Sequence, residues 1–189
     1  MAHQRITRFG GRVLHGDNTS LPPGAQYDLV CAFEVLEHID DDAGALDQWL
    51  PLVKPGGHLL LSVPADPHRF GPSDVIAGHY RRYTAEQLGR RLIEAGAADL
   101  QITHYGWPLA YLLDMVRDKV AARRLAGASE VPEERSAGSG RFLQPTGQLA
   151  GQAIKVAVFP WALVQRLVPG RGPALVALAS RPVDPAAQA

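Results

Sequence analysis

Short continuous apolar runs along the chain are separated by turn-forming residues and by amphipathic segments. The runs at residues 27–33 and 58–63 predict strands of a parallel sheet, because strands covered on both faces lack polar alternation. A helix is predicted between them over residues 43–53, since Asp40, Asp41 and Asp42 offer N-cap candidates. A further short strand is predicted at residues 11–15. This order of elements predicts an α/β layered fold.

The second half of the chain continues the pattern and adds an insertion. Thr84 is predicted to cap a helix that ends at Gly96, and strands are predicted at residues 100–105 and 173–180. Residues 65–82 show no periodicity and are interpreted as a functional loop. Within the insertion, helices are predicted over residues 111–125 and in the apolar stretch 154–168. The predicted organisation is a partial core over residues 1–106, a helical and mobile insertion over residues 107–172, the terminal strand of the core over residues 173–182, and a disordered tail over residues 183–189.

Composition narrows the class of protein. Nineteen basic residues balance nineteen acidic ones, which argues against a polybasic nucleic-acid-binding surface. A single cysteine, Cys31, excludes a disulfide framework and a cysteine-based zinc site, and its place within a predicted strand favours a small buried apolar role. The N-terminus lacks the pattern of a signal peptide, and no run of about 18 apolar residues is present. A cytoplasmic protein with no nucleic-acid partner is therefore predicted.

Five sequence blocks together are more specific than any one of them. They are Gly16-Asp17-Asn18, Tyr27-Asp28-Leu29-Val30, the block from Phe33 to His38, the block from Leu52 to Leu61, and the block from Gly78 to Thr84. In this order and spacing they resemble the class I S-adenosylmethionine-dependent methyltransferase family. The resemblance implies a Rossmann-like sheet, S-adenosylmethionine as cofactor, and methyl transfer to a small-molecule acceptor, with oxygen as the expected methylated atom.

The same resemblance implies cofactor-binding residues. Asp17 would accept a hydrogen bond from the adenine amine, and the backbone N–H of Asn18 would meet a ring nitrogen of adenine. Phe33 and Glu34 would border the methionine end of the cofactor, because ligands bind beyond the carboxyl ends of strands in open α/β sheets. The alternatives are that Asp17 and Asn18 only form a turn and that Phe33 packs in the core.

The sequence departs from the family pattern in its N-terminal part. Neither the family's glycine-rich loop nor its ribose-binding acidic residue is found among the 189 residues. The predicted fold is therefore a methyltransferase sheet lacking its first two strands, with a helical insertion before the last strand. The strand at residues 27–33 would then form an exposed edge that promotes self-association. Weak cofactor binding by this chain is expected, and the alternative function is an inactive remnant that serves as an interaction module.

An acidic-histidine motif follows the first predicted strand. If the backbone turns helically there, Glu34, Glu37 and His38 share one face, and a divalent cation would relieve the repulsion between the carboxylates. The motif is similar to those of ubiquinone-pathway O-methyltransferases and small-RNA 2′-O-methyltransferases, in which a later histidine completes a metal site. His79 is the matching position. The resemblance thus implies Mg²⁺ or Mn²⁺ bound by Glu34, Glu37, His38 and His79. The alternatives are catalytic roles for His38 and His79 without metal, with His38 as the general base, and a structural role.

Two further segments allow two interpretations each. Arg82 and Tyr83 either contact an anionic or aromatic acceptor or anchor their loop to the sheet. The apolar stretch 154–168 is either a buried helix broken at Pro160 or a surface for weak membrane association, for which Trp161 would suit the interface.

Overall fold

The computed structural model describes residues 6–7, 10–16, 20–126, 148–168 and 170–183. Asp17 and Asn18, the predicted adenine contacts, lie outside the described residues. The same holds for residues 127–147 of the predicted insertion and for residues 184–189 of the predicted tail.

The described residues form one four-stranded sheet in the order β1-β2-β4-β3. Its strands are β1 (Tyr27–Phe33), β2 (Val53–Pro64), β3 (Ala98–Tyr105) and β4 (Ala174–Ser180). β1 and β2 are parallel, whereas β4 runs antiparallel between β2 and β3. Four of the five predicted strands are confirmed, and β1 lies at an edge of the sheet.

Five α-helices and three short 3-10 turns connect the described strands. The helices are α1 (Asp42–Trp49), α2 (Pro72–Ala77), α3 (Ala85–Glu94), α4 (Leu109–Ala126) and α5 (Gln148–Leu167). The turns are Leu36–His38, Leu50–Leu52 and Pro67–Arg69. The predicted caps are confirmed: Asp41 accepts a hydrogen bond from the N–H of Gly44, and Thr84 accepts one from the N–H of Gln87.

The hydrophobic core lies between the sheet and helices α1 and α3. Leu59, Leu61 and Val63 alternate along β2 and are fully buried, as a strand with one face on the core requires. Leu46 of α1 and Leu88 of α3 pack in the same cluster. This core fixes the carboxyl ends of β1 and β2 side by side, and the candidate site lies at those ends.

Three predictions about secondary structure are wrong. Residues 11–15 form no strand, because no neighbouring strand pairs with them among the described residues. The α-helix predicted over residues 43–53 ends at Trp49, where the chain continues as the 3-10 turn Leu50–Leu52 and enters β2 at Val53. The stretch 65–82, interpreted as a loop, contains helix α2, which starts with a proline and ends at Gly78.

One prediction about burial, and one of the two interpretations of the stretch 154–168, are also wrong. Cys31 is exposed, because its strand β1 is an edge strand with little cover. Helix α5 is continuous through Pro160 instead of broken there, and Phe159 and Leu167 face solvent instead of a core. Within the described part of the chain, no helix combines the length and apolarity needed to cross a bilayer.

Candidate functional site

A change in backbone direction after β1 creates the first half of the site. Glu34 has a φ of 53°, and its N–H still bonds to the carbonyl of Ser62, at 3.0 Å. The chain then enters the 3-10 turn Leu36–His38, which buries the Glu37 side chain completely and leaves His38 partly exposed. A left-handed conformation is unusual for a residue with a side chain, so the backbone at Glu34 is locally strained.

The second half of the site comes from the end of helix α2. Gly78 adopts a φ of 77°, which ends the helix and turns the chain so that His79 faces the first half. A backbone hydrogen bond of 2.8 Å from the N–H of Tyr80 to the carbonyl of Glu37 ties the two halves together. The rings of His38 and His79 consequently pack edge to face, with 4.6 Å between their centroids.

The carboxylate of Glu37 lies buried at the centre of this cluster. Neither of its oxygens has a hydrogen-bond partner, and Oε1 lies 3.9 Å from Nε2 of His38 and 3.9 Å from Nε2 of His79. Burial raises the pKa of Glu37 to about 7, because a buried carboxylate loses its hydration, and the nearby charge of Glu34 adds to the effect. A buried acceptor without a donor is costly, and a proton on the carboxylate or a positive charge beside it would remove that cost.

Hydrogen bonds at the far side of each ring orient both histidines. Nδ1 of His38 lies 3.2 Å from the carbonyl of Gly78, and Nδ1 of His79 lies 2.7 Å from Oδ1 of Asp74. Because a carbonyl and a carboxylate only accept, we assign the proton of each neutral ring to Nδ1. Each Nε2 then presents a lone pair toward Glu37. Burial, followed by the proximity of His79, lowers the pKa of His38 and favours its neutral form.

These contacts fit a divalent cation. Glu37, His38 and His79 offer ligand atoms that all lie within 4.8 Å of one another. The two separations of 3.9 Å fall within the span of two ligand bonds of about 2.1 Å each. The hydrogen bonds at Nδ1 are the contacts that metal-binding histidines make with their surroundings. The described residues therefore provide one carboxylate and two imidazoles as candidate ligands for a divalent cation.

Glu34, the fourth predicted ligand, belongs to a neighbouring cluster. Its Oε1 accepts a 2.8 Å hydrogen bond from Ser62 Oγ and lies 3.5 Å from the hydroxyl of Tyr105. Burial, together with the charge of Glu34, raises the pKa of Tyr105. Phe33 lies at the edge of the sheet and is 55% exposed, so it does not pack in the core. Contacts of Phe33 and Glu34 with a cofactor stay a prediction.

Sequence reasoning missed Asp74, and the structure decides the role of two other residues. Asp74 is buried and binds both His79 and Arg82. Its signal was Pro72 followed by an acid two residues later, a common start of a helix. Arg82 and Tyr83 are buried, and Tyr83 donates a 3.1 Å hydrogen bond to Asp42. They therefore anchor their loop to the rest of the fold.

Sequence comparison finds one family and one curated relative. The profile of the Methyltransferase domain family matches residues 3–102. A protein of Mycolicibacterium smegmatis, named a probable S-adenosylmethionine-dependent methyltransferase, is 33% identical over 101 residues. The matched region is 51% of this chain and 38% of that relative. The family match over residues 3–102 includes the two loops that carry Glu37 and His79.

Solved structures show the same fold at low sequence identity. YcgJ of Bacillus subtilis has a TM-score of 0.55 and 15% identity, with 97% of this chain and 77% of YcgJ covered. A Bacillus halodurans protein provisionally designated a methyltransferase has a TM-score of 0.53 and 16% identity, with 96% and 78% covered. Both similarities support the Rossmann-like sheet. The chemistry of this chain has to be inferred from the residues of its candidate site.

Proposed function

Because the chain belongs to the class I S-adenosylmethionine-dependent methyltransferase family, we propose that it serves in methyl transfer from S-adenosylmethionine to a hydroxyl group of a small molecule. One observation carries the choice of oxygen. The buried Glu37 carboxylate and two imidazole lone pairs converge without a donor among them. A hydroxyl acceptor must lose a proton during transfer, and such a cluster can take it or stabilise the resulting oxygen with a bound cation.

The cofactor, when bound, supplies a methyl group on a positively charged sulfur. Phe33 and Glu34 stand at the carboxyl end of β1, which is the edge where open α/β sheets bind ligands. Ser62 and Tyr105 hold the Glu34 carboxylate, so its orientation is fixed before any ligand arrives. The chain contributes mainly proximity and orientation of the two reactants.

We favour a divalent cation at Glu37, His38 and His79. Two imidazoles beside one carboxylate suit Mn²⁺ better than Mg²⁺, since Mg²⁺ prefers oxygen ligands. A bound divalent cation lowers the pKa of a hydroxyl or water beside it. In a metal-free mechanism, His38 is the general base instead. Its lowered pKa keeps Nε2 free to accept a proton at neutral pH, and its partly exposed ring is open to a substrate.

Methyl transfer to a panel of phenols, catechols and aliphatic diols tests the proposal. We expect product to disappear with EDTA and to return with Mn²⁺. Activity indifferent to chelator, together with a loss of about 10²- to 10⁴-fold in His38→Ala, would favour the base instead. Full activity of His38→Ala at saturating acceptor would leave both chemical roles without support.

Calorimetric titration of S-adenosylhomocysteine tests cofactor binding separately. Since the 189 residues contain no glycine-rich cofactor loop, we expect binding weaker than the low micromolar range. Tight binding by the monomeric chain would contradict this expectation. Absence of both binding and transfer would favour the alternative function, an interaction module without catalysis.

A further inference from the structure

Behind His79 lies a second group of buried charges that the proposed chemistry does not use. Asp74 is 1% exposed and Arg82 is 7% exposed. The carboxylate of Asp74 accepts hydrogen bonds from Nδ1 of His79 at 2.7 Å and from the N–H of Gly71 at 2.8 Å. Nε of Arg82 lies 2.9 Å from both carboxylate oxygens. Asp74 is thus surrounded by donors.

The partners of Asp74 determine where the shared hydrogen lies. The guanidinium of Arg82 and the N–H of Gly71 donate to its carboxylate, and a carboxylate paired with a guanidinium only accepts hydrogen bonds. The hydrogen shared with His79 therefore belongs to Nδ1 of the ring. The other ring nitrogen, Nε2, is the atom that lies 3.9 Å from Glu37.

His38 and His79 differ in how firmly their rings are held. His38 relies on the neutral carbonyl of Gly78, at 3.2 Å, whereas His79 bonds to a buried anion at 2.7 Å. Charge-assisted hydrogen bonds are shorter and roughly twice as strong as neutral ones. His79 is also less exposed, at 15% against 34% for the side chain of His38. The fixed member of the histidine pair is therefore His79.

We propose that Asp74, itself held by Arg82, is a positioning residue that keeps His79 in the Nδ1-protonated form with Nε2 directed at Glu37. The proposal rests on the Glu37–His38–His79 cluster of the proposed function. It adds Asp74, which lies outside the acidic-histidine motif, as the residue that orients His79. Arg82 then does more than anchor a loop: without its cation, the buried carboxylate would lose its main counter-charge.

The protonated nitrogen of His79 can be measured directly in the metal-free chain. In ¹⁵N-labelled protein at pH 8 with EDTA, long-range ¹H–¹⁵N spectra distinguish the two neutral forms of each histidine ring. The signal of His79 is assigned by its loss in His79→Gln. We expect the Nδ1-protonated form. Observation of the Nε2-protonated form in the wild-type chain would overturn the proposal without any variant of Asp74.

Asp74→Asn is the matching perturbation, because an amide can donate to Nδ1 where the carboxylate could only accept. We expect His79 to change toward the Nε2-protonated form and Mn²⁺ affinity to fall about 10- to 100-fold. Asp114→Asn is the control: Asp114 lies 3.9 Å from Arg82 but does not bond to His79. We expect it to leave the ring form and the Mn²⁺ affinity unchanged.

The outcomes separate this proposal from the proposed function. An Asp74→Asn chain that keeps the Nδ1-protonated ring would overturn the positioning role. If Asp74→Asn and Asp114→Asn changed the protonated nitrogen of His79 equally, the proposal would also be overturned. The cause would then be the loss of any carboxylate near Arg82 and not the hydrogen bond between Asp74 and His79. If the wild-type chain binds no Mn²⁺, the metal part of the proposed function fails, and the ring measurement still decides the role of Asp74.

Discussion

Glu37→Gln is expected to stabilise the metal-free chain at pH 8, although it removes a residue of the candidate site. Glu37 is fully buried, its oxygens lack donors, and its pKa is raised from 4.5 to about 7. The folded state therefore holds this proton more tightly than the unfolded state. Stability from this group is fully present below pH 4.5 and is lost as the pH rises through 7.

The size of the effect follows from the change in pKa. A rise of about 2.5 units corresponds to about 3 kcal/mol, since one unit is worth 1.36 kcal/mol. Most of this loss, about 2.5 kcal/mol, falls between pH 5 and pH 8. A glutamine has no charge to desolvate, and its amide can donate to an imidazole nitrogen of His38 or His79. It should therefore lack this pH-dependent loss.

Urea unfolding of wild-type and Glu37→Gln chains, each at pH 5 and pH 8 in EDTA, measures the effect. From pH 5 to pH 8, the free energy of unfolding of the variant should rise by about 2 to 3 kcal/mol relative to that of the wild type. Glu94→Gln is the control, because Glu94 is exposed on α3 and its only described ion pair is with Arg91. We expect that control to follow the wild type at both pH values.

Addition of Mn²⁺ should reverse the order of stability. At about 100 times its dissociation constant, a ligand that binds only the folded state adds about 2.7 kcal/mol, and Glu37→Gln should gain little of it. A wild-type chain whose stability relative to Glu37→Gln does not change between pH 5 and pH 8 would refute the electrostatic reasoning. It would mean that water or a rearranged side chain already solvates the carboxylate.

Three further perturbations test other features. Leu29→Lys should reduce self-association through the β1 edge, because it puts a charge on an exposed apolar strand, and light scattering should show smaller assemblies than for the control Ile93→Lys on α3. Gly78→Ala should cost about 1 kcal/mol from its φ of 77° and weaken Mn²⁺ binding, whereas Gly24→Ala, at a φ of 72°, should show only the stability cost in thermal unfolding. Tyr83→Phe should lower stability by about 1 to 2 kcal/mol because it removes the buried hydrogen bond to Asp42, while Tyr27→Phe at an exposed position should have no effect in the same urea titration.

The sequence by itself determined the features that depend on chain neighbours. Strand β1 follows from a continuous apolar run, and helix α3 follows from the reciprocal hydrogen bonds between Thr84 and Gln87. The succession of strands and helices along the chain and the acidic-histidine motif could be predicted for the same reason. Each depends on residue types at fixed spacing, and local sterics and capping act over a few residues.

Only the tertiary structure decided the contacts between residues about 40 positions apart. His38 and His79 meet because the core aligns the ends of β1 and β2 and because the N–H of Tyr80 bonds to the carbonyl of Glu37. The burial of Glu37 without a donor and the support of His79 by Asp74 depend on that same alignment. Burial and hydrogen-bond satisfaction are properties of packing in three dimensions, and a residue's type does not encode them. For this reason the sequence could predict which residues are able to bind a cation, but the geometry alone separated Glu37 from Glu34.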